Sequence, residues 1–223
     1  SLAVAVSDLA AMGATPVAFT LALTLPTVTA DWLQSYARGL NLMAQGCGVA
    51  LVGGDTTRGA LSLTMTVFGR VPSGQALVRS GAQPGDLVCV GGELGNAAGA
   101  LPLVLGQRTA EPSIADPLLA HYWSPQPQLA LGRALRGKAT SALDISDGLL
   151  ADCGHLALAS KVGVQVEQSK VPVSAPLVAF LGQAGAQEAA LSGGDDYVLA
   201  FTLPSVELPG LLADGWPITP VTP

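Results

Sequence analysis

Leu51–Gly59 reads Leu-Val-Gly-Gly-Asp-Thr-Thr-Arg-Gly, and this succession of a short apolar run, two glycines and an acid most constrains how the chain can fold. An apolar run such as Val49–Val52, bounded by glycine, reads as a buried strand. Glycine allows positive φ and lets backbone come close to a ligand. Asp55 is therefore expected at a strand end, beside bare backbone N–H groups and two hydroxyls. That corner suits a hydrated divalent cation and a phosphate. A turn capped by an aspartate is the alternative for any one copy of the pattern, but the pattern recurs. Of the 16 acidic residues, six lie within two residues of glycine or serine at the ends of apolar runs: Asp8, Asp55, Asp144, Asp147, Asp195 and Asp196.

Taken in order, Leu2–Val6 reads as a buried strand running into Ser7-Asp8. Asp8 then stands near the N-terminus of a short helix, as a cap or aimed at a cation. Phe19–Leu25 is a strand closed by Pro26. Thr29 to Gly46 is an amphipathic helix with Leu33, Ala37, Leu40 and Ala44 on one face. Leu61–Val67 alternates as a strand with one buried face. Gly69–Gly74 is turn-rich and is the expected domain border. Beyond it come the strand Leu87–Val90 and Gly91-Gly92-Glu93-Leu94-Gly95-Asn96, a strand–turn–helix layout friendly to phosphate. Asp116-Pro117 and Pro125–Pro127 start helices. His121, Tyr122 and Trp123 read as packing. Ser141–Ile145 is a strand, followed by a helix from Asp147 to Ser160. Val164–Val166 is a strand, and Ser174-Ala175-Pro176 opens a helix through Leu181. Ser192-Gly-Gly-Asp-Asp-Tyr197 repeats the glycine–acid theme before the strand Val198–Leu203. Strands alternate with helices, which predicts α/β or α+β organisation in both parts.

The chain has 223 residues, 12% of them charged, and a net charge of −6 with ten scattered basic residues. This balance argues against a nucleic-acid surface. No apolar run reaches the roughly 18 residues of a membrane span. Cys47, Cys89 and Cys153 match no metal-ligand spacing and read as small hydrophobes in a reducing compartment, the cytoplasm. The chain opens inside an apolar run without an initiator methionine and closes on Thr-Pro-Val-Thr-Pro without an obvious final element. Both natural ends are expected to lie outside these residues.

Carboxylates gathered around one cleft repel, at about 4 kcal/mol per pair for a separation of about 4 Å and an effective dielectric near 20. Their convergence therefore requires a cation. Hard oxygen donors select Mg²⁺ or Ca²⁺, and Mg²⁺ commonly shares its shell with water and substrate phosphates. The matching chemistry is phosphoryl transfer, which depends on positioning and charge neutralisation. Arg79 or Arg58 is available to the phosphates. No Walker sequence and no protein-kinase set is present, so an ATP site must be of another kind. Asp144 and Asp147 can equally be a helix cap plus an exposed acid.

Ser7-Asp8-Leu-Ala-Ala-Met-Gly-Ala, Gly53-Gly54-Asp55-Thr56-Thr57-Arg58-Gly59, Arg79-Ser80-Gly81 with Pro84-Gly85-Asp86, Asp144-Ile-Ser-Asp-Gly-Leu-Leu-Ala-Asp152 and Ser192-Gly-Gly-Asp-Asp-Tyr197 together resemble the thiamine-monophosphate kinase family. That family lies within the aminoimidazole ribonucleotide synthetase-like ATP-binding superfamily. The resemblance spans nearly the whole chain. It implies an α+β, α/β two-domain fold. Residues 1–72 would form a ferredoxin-like ATP- and Mg-binding domain that dimerises, and residues 73–223 a C-terminal α/β domain. It implies ATP-dependent phosphorylation of thiamine monophosphate to thiamine diphosphate with several Mg²⁺ ions. The active site would lie in a cleft near the interface of a homodimer whose N-terminal sheets pair into a barrel-like core. By position, Asp8, Asp55, Asp144 and Asp147 resemble Mg²⁺ ligands. Gly54, Asp55, Arg79 and Ser146 resemble ATP contacts. Asp195 stands where the family has a substrate-contacting glutamate. The resemblance also implies further acidic and hydroxyl ligands before Ser1 and a substrate-stacking aromatic beyond Pro223. The alternatives are another ATP-using superfamily member acting on a different small molecule, and an inactive dimeric nucleotide-binding module.

Overall fold

The computed structural model describes residues 1–223. The first part comprises helix α1 (Leu2–Ala11), strand β1 (Thr15–Leu25), helix α2 (Ala30–Cys47) and strands β2 (Ala50–Arg58) and β3 (Ser62–Arg70). The second begins with strand β4 (Leu87–Val90) and helices α3 (Asn96–Val104), α4 (Pro112–Trp123) and α5 (Leu129–Ala134). Strand β5 (Ser141–Asp144), helices α6 (Leu149–Ser160) and α7 (Ala175–Ser192), strand β6 (Leu199–Leu203), helix α8 (Leu208–Ala213) and strand β7 (Thr219–Pro220) complete it.

The first sheet has the order β2-β1-β3, with β1 parallel to β2 and antiparallel to β3. Period-2 alternation gives it two unlike faces. Phe19, Met65 and Val67 pack against Leu2 and Val6 of α1 and Leu40, Met43 and Ala44 of α2. The opposite face carries Ala22, Thr64 and Thr66 and has no cover. The second sheet, β5-β6-β4-β7, is antiparallel throughout and buried on both sides. Val88, Val90, Leu143, Val198 and Ala200 face Leu149, Cys153 and Leu156 of α6. Cys89, Ala142, Leu199, Phe201 and Leu203 face Ala10 and Ala11 of α1, Leu131 of α5 and Leu211 of α8. Helix α1 thus contributes to the cores of both sheets, with its two halves in different clusters. Burial pushes the Cys89 and Cys153 thiols up to about 12, and all three cysteines are unpaired.

Several sequence expectations are corrected. Leu2–Val6 is helical, because Leu2, Ala3, Val6, Leu9 and Ala10 bury one 3.6-period face. Asp8 therefore sits in the later turns of α1 and caps nothing. Strand β2 runs through both glycines to Arg58, placing Asp55 in mid-strand, and all of its residues are exposed. A register shift at Phe19/Thr20 absorbs one extra residue and lets the pairing continue. Helix α4 starts at Pro112, with Pro117 inside it. Val164–Val166 forms no strand; the two valines are half-buried beside the α6 core. Helix α7 continues past a break at Gly182 to Ser192. The Thr219–Val221 segment is part of the fold, since β7 pairs with β4 and Val221 is fully buried. Trp123 is exposed, whereas His121 and Tyr122 are half-buried.

Candidate active site

Strand β5 ends at Asp144, only 8% exposed, where α1 crosses with Asp8 on its outer side. The segment preceding β4 runs alongside: the Ala142 N–H donates to the Val78 carbonyl at 2.9 Å, which brings Arg79 to the same edge. Asp8, Met12, Val78, Arg79, Ser80 and Asp144 line a cleft of about 440 Å³. Burial, and then the neighbouring Asp144 carboxylate, push the Asp8 carboxyl above its ordinary range, while Arg79 opposes them.

The turn after β5 is held from every side. Ile145 exchanges backbone bonds with Val198 and Tyr197, at 2.8 and 2.9 Å. The Ser146 carbonyl accepts from the Asp195 N–H at 3.0 Å. A methyl at Gly194 would run into that carbonyl, so glycine is required for the two loops to touch. Asp152, in the first turn of α6 and 3% exposed, reaches back with Oδ2. That oxygen accepts the N–H groups of Ser146, Asp147 and Gly148 at 3.0, 3.0 and 3.2 Å. Burial raises the Asp152 carboxyl, with these three amides pulling the other way. The side chains of Ser146 and Asp147 are left exposed. Ligand atoms of Asp147, Asp152 and His155 all lie within 4.8 Å of one another.

The facing loop is strained. Asp195 and Tyr197 have φ of 65° and 52°, left-handed values that residues other than glycine adopt at a cost of about 1–3 kcal/mol and that cluster at functional sites. The Tyr197 hydroxyl donates to Asp195 Oδ1 at 2.8 Å. Burial and the nearby carboxylates of Asp195, Asp144 and Asp147 push that phenol well above its ordinary range. Asp196, 2% exposed, turns inward and accepts the Gly95 N–H at 2.7 Å, capping α3. Burial pushes its carboxyl up to about 7, and its Oδ1 has no partner. The phosphate-friendly turn expected at Gly91–Asn96 thus meets an internal carboxyl group.

Asp8, Arg79, Asp144, Asp147, Ser146, Asp195 and Tyr197 are thereby gathered on and around one edge. Asp55 is not among them. Its register partner is Ala22, itself paired with Thr64, so it lies on the uncovered face of the first sheet. Its Oδ1 accepts the Thr56 N–H at 2.8 Å. Gly54 lies beside it, where a side chain would overlap the Leu21 carbonyl, so close strand approach already requires glycine there. Arg58 ends the exposed strand, away from the cleft. Sequence reasoning gave no role to Asp152 or Tyr197. The only signal was the spacing of Asp152 behind Asp144 and Asp147.

The donor set fits a hard divalent cation. Asp8, Asp144 and Asp147 offer carboxylate oxygens, and Arg79 is the one cationic side chain lining the cleft.

The N-terminal domain of AIR synthase related protein matches residues 1–71 and its C-terminal domain matches residues 83–207. The chain therefore belongs to the AIR synthase related family. It is 42% identical to a thiamine-monophosphate kinase from Stenotrophomonas maltophilia, whose crystal structure superposes with a TM-score of 0.93 over 99% of this chain and 72% of that one. A solved structure described as AaThiL complexed with AMPPCP and TMP is 27% identical, with a TM-score of 0.91 over 99% and 71%. The thiamine-monophosphate kinase of Escherichia coli is 44% identical over 207 residues, 92% of this chain. The chain spans 64% of that relative's length.

Proposed function

We propose that this protein transfers the γ-phosphoryl group of ATP to thiamine monophosphate, giving thiamine diphosphate. The observation that carries the reading is the convergence of Asp8, Asp144 and Arg79 on one cleft, in a chain 42% identical to a thiamine-monophosphate kinase. The complex of a relative with AMPPCP and TMP supports the same pair of substrates. Asp8, Asp144 and Asp147 would hold Mg²⁺, with Asp55 as a further ligand. Magnesium, when bound, neutralises phosphate charge and aligns the transferred group. Arg79 binds phosphate oxygens as a fixed cation. Ser146 contacts ATP through its hydroxyl, because its N–H and carbonyl are both engaged. Gly54 keeps the backbone beside Asp55 bare for the nucleotide. Asp195, held by Tyr197, addresses the thiamine side. The test is purified protein with ATP, Mg²⁺ and thiamine monophosphate, with the product resolved by chromatography. Thiamine diphosphate is expected. Its absence at saturating substrates rejects the reading, and phosphate release with a different small molecule in a panel points to another activity of the superfamily.

The same proposal includes a homodimer and the division of the chain at residues 72 and 73. Strand β2 leaves nine residues with an unpaired outer edge, free of lysine and proline. Such an edge is a template for another strand. Beside it lies the open face of Ala22, Thr64 and Thr66, and Val52 and Phe68 are 64% and 47% exposed. A second copy seated there would cover Asp55 and bring it to a shared site. Sedimentation is expected to give a dimer, and Thr64→Arg, a bulky charge in the middle of that face, a monomer. A monomeric parent would reject this part. No helix is long and apolar enough to cross a membrane. The unpaired cysteines favour the cytoplasm.

A further inference from the structure

Three successive backbone amides pointing at one spot form a nest, a concavity that ordinarily binds an external anion such as phosphate. The turn Ser146–Gly148 makes one at the N-terminus of α6, but the Asp152 carboxylate already fills it. The pattern repeats at α3, where buried Asp196 takes the Gly95 amide. The β4–α3 and β5–α6 junctions of the second sheet are thus each closed by an internal acid. Neither offers its amides to a phosphate. What the β5–α6 turn does offer outward is two exposed side chains, the Ser146 hydroxyl and the Asp147 carboxylate.

We propose that Asp152 is a positioning residue, a built-in anion that occupies the amides of the turn and so aims Asp147 and Ser146 at the cleft. It makes the turn a cation-presenting edge instead of a phosphate-binding loop. Asp152 contributes no bond to ATP; it acts through the backbone of its neighbours. This rests on the reading of Asp147 and Ser146 as ligand-facing groups, but its first readout needs no ligand.

Backbone hydrogen exchange is measured in the parent, Asp152→Asn and Asp152→Ala, followed by titration with Mn²⁺ alone under electron paramagnetic resonance. With the three bonds gone in Asp152→Ala, exchange at residues 146–148 rises roughly tenfold or more. The Gly95 amide, held by Asp196, is unchanged and serves as an internal control. Mn²⁺ affinity falls in parallel, and added formate, entering the vacated carboxylate position, restores both. In the kinase assay the loss appears first in the KM for Mg²⁺-ATP, with formate restoring it. Asp152→Asn keeps the shape and loses the charge, so it gives intermediate exchange and carries the test if Asp152→Ala does not fold. Unchanged exchange at 146–148 overturns the proposal. So does weakened Mn²⁺ binding with unchanged exchange, which would make Asp152 a direct ligand. A parent that makes no thiamine diphosphate removes the kinase reading and leaves the exchange result standing.

Discussion

Asp144→Asn is expected to lower turnover of thiamine monophosphate by roughly 10²–10³-fold, the scale seen when one preorganised electrostatic group is removed from a reacting centre. Asparagine has nearly the same shape, and Asp144 sits at the end of β5 with its backbone paired to Leu199. The strand should therefore survive the change. What is lost is one of the two carboxylates that line the cleft beside Arg79. The neighbouring Asp8 responds as well, since Asp144 is the second cause of its raised carboxyl after burial. Without that charge, Asp8 ionises more readily, so the activity that remains should extend to lower pH than in the parent. The measurement is a pH profile of kcat and kcat/KM for both proteins, with circular dichroism as a check of the fold. Parent-like turnover in Asp144→Asn would remove this residue from the reaction centre.

A comparably large effect is expected on stability, from Asp196. Burial raises its carboxyl from 3.8 to about 7, so the folded state holds a proton that the unfolded chain gives up. The stabilisation from this group is complete below the unfolded value and disappears as pH rises through about 7. It amounts to about 4 kcal/mol over that window. Asp196→Asn stays neutral and can still accept the Gly95 N–H. The two proteins should therefore be closest in stability near pH 4, and the variant should be the more stable near pH 8. Urea unfolding at both values reads the difference directly. Parallel pH dependences would mean that Asp196 is not charged by the rise in pH.

How much of this was legible follows from the range of each interaction. Leu63, Met65 and Val67 alternate with Ser62, Thr64 and Thr66, a local signal, and β3 was readable from it. Val49–Val52 carried the same kind of signal for a strand but none for its position, and β2 turned out to be an exposed edge. Leu2–Ala11 is too uniformly apolar for a short window to separate a strand from a helix; the deciding contacts are to Phe19 and to Ala142, far along the chain. The site followed the same division. Asp8 and Asp144 stand out one by one, because glycine, serine and acid at the end of an apolar run is a local pattern, whereas Arg79 is singled out from Arg58 only by the family resemblance and by its place in the cleft. Asp152 as an anchor was not, since its meaning lies in which amides it meets. Tyr197 was likewise hidden, because its hydroxyl matters only through its bond to Asp195 and its place beside Asp144 and Asp147.

The proposed phosphoryl transfer depends on carboxylates from separate elements serving one cation-filled pocket. The most direct test is anomalous diffraction from crystals grown with Mn²⁺ and a non-hydrolysable ATP analogue. The prediction is a manganese peak at about 2.0–2.3 Å from carboxylate oxygens of Asp8 and Asp144, with nucleotide phosphate oxygens completing its shell and Arg79 against the same phosphates. Manganese and nucleotide bound elsewhere, with the Asp8–Asp144 cleft holding only water, would contradict the account.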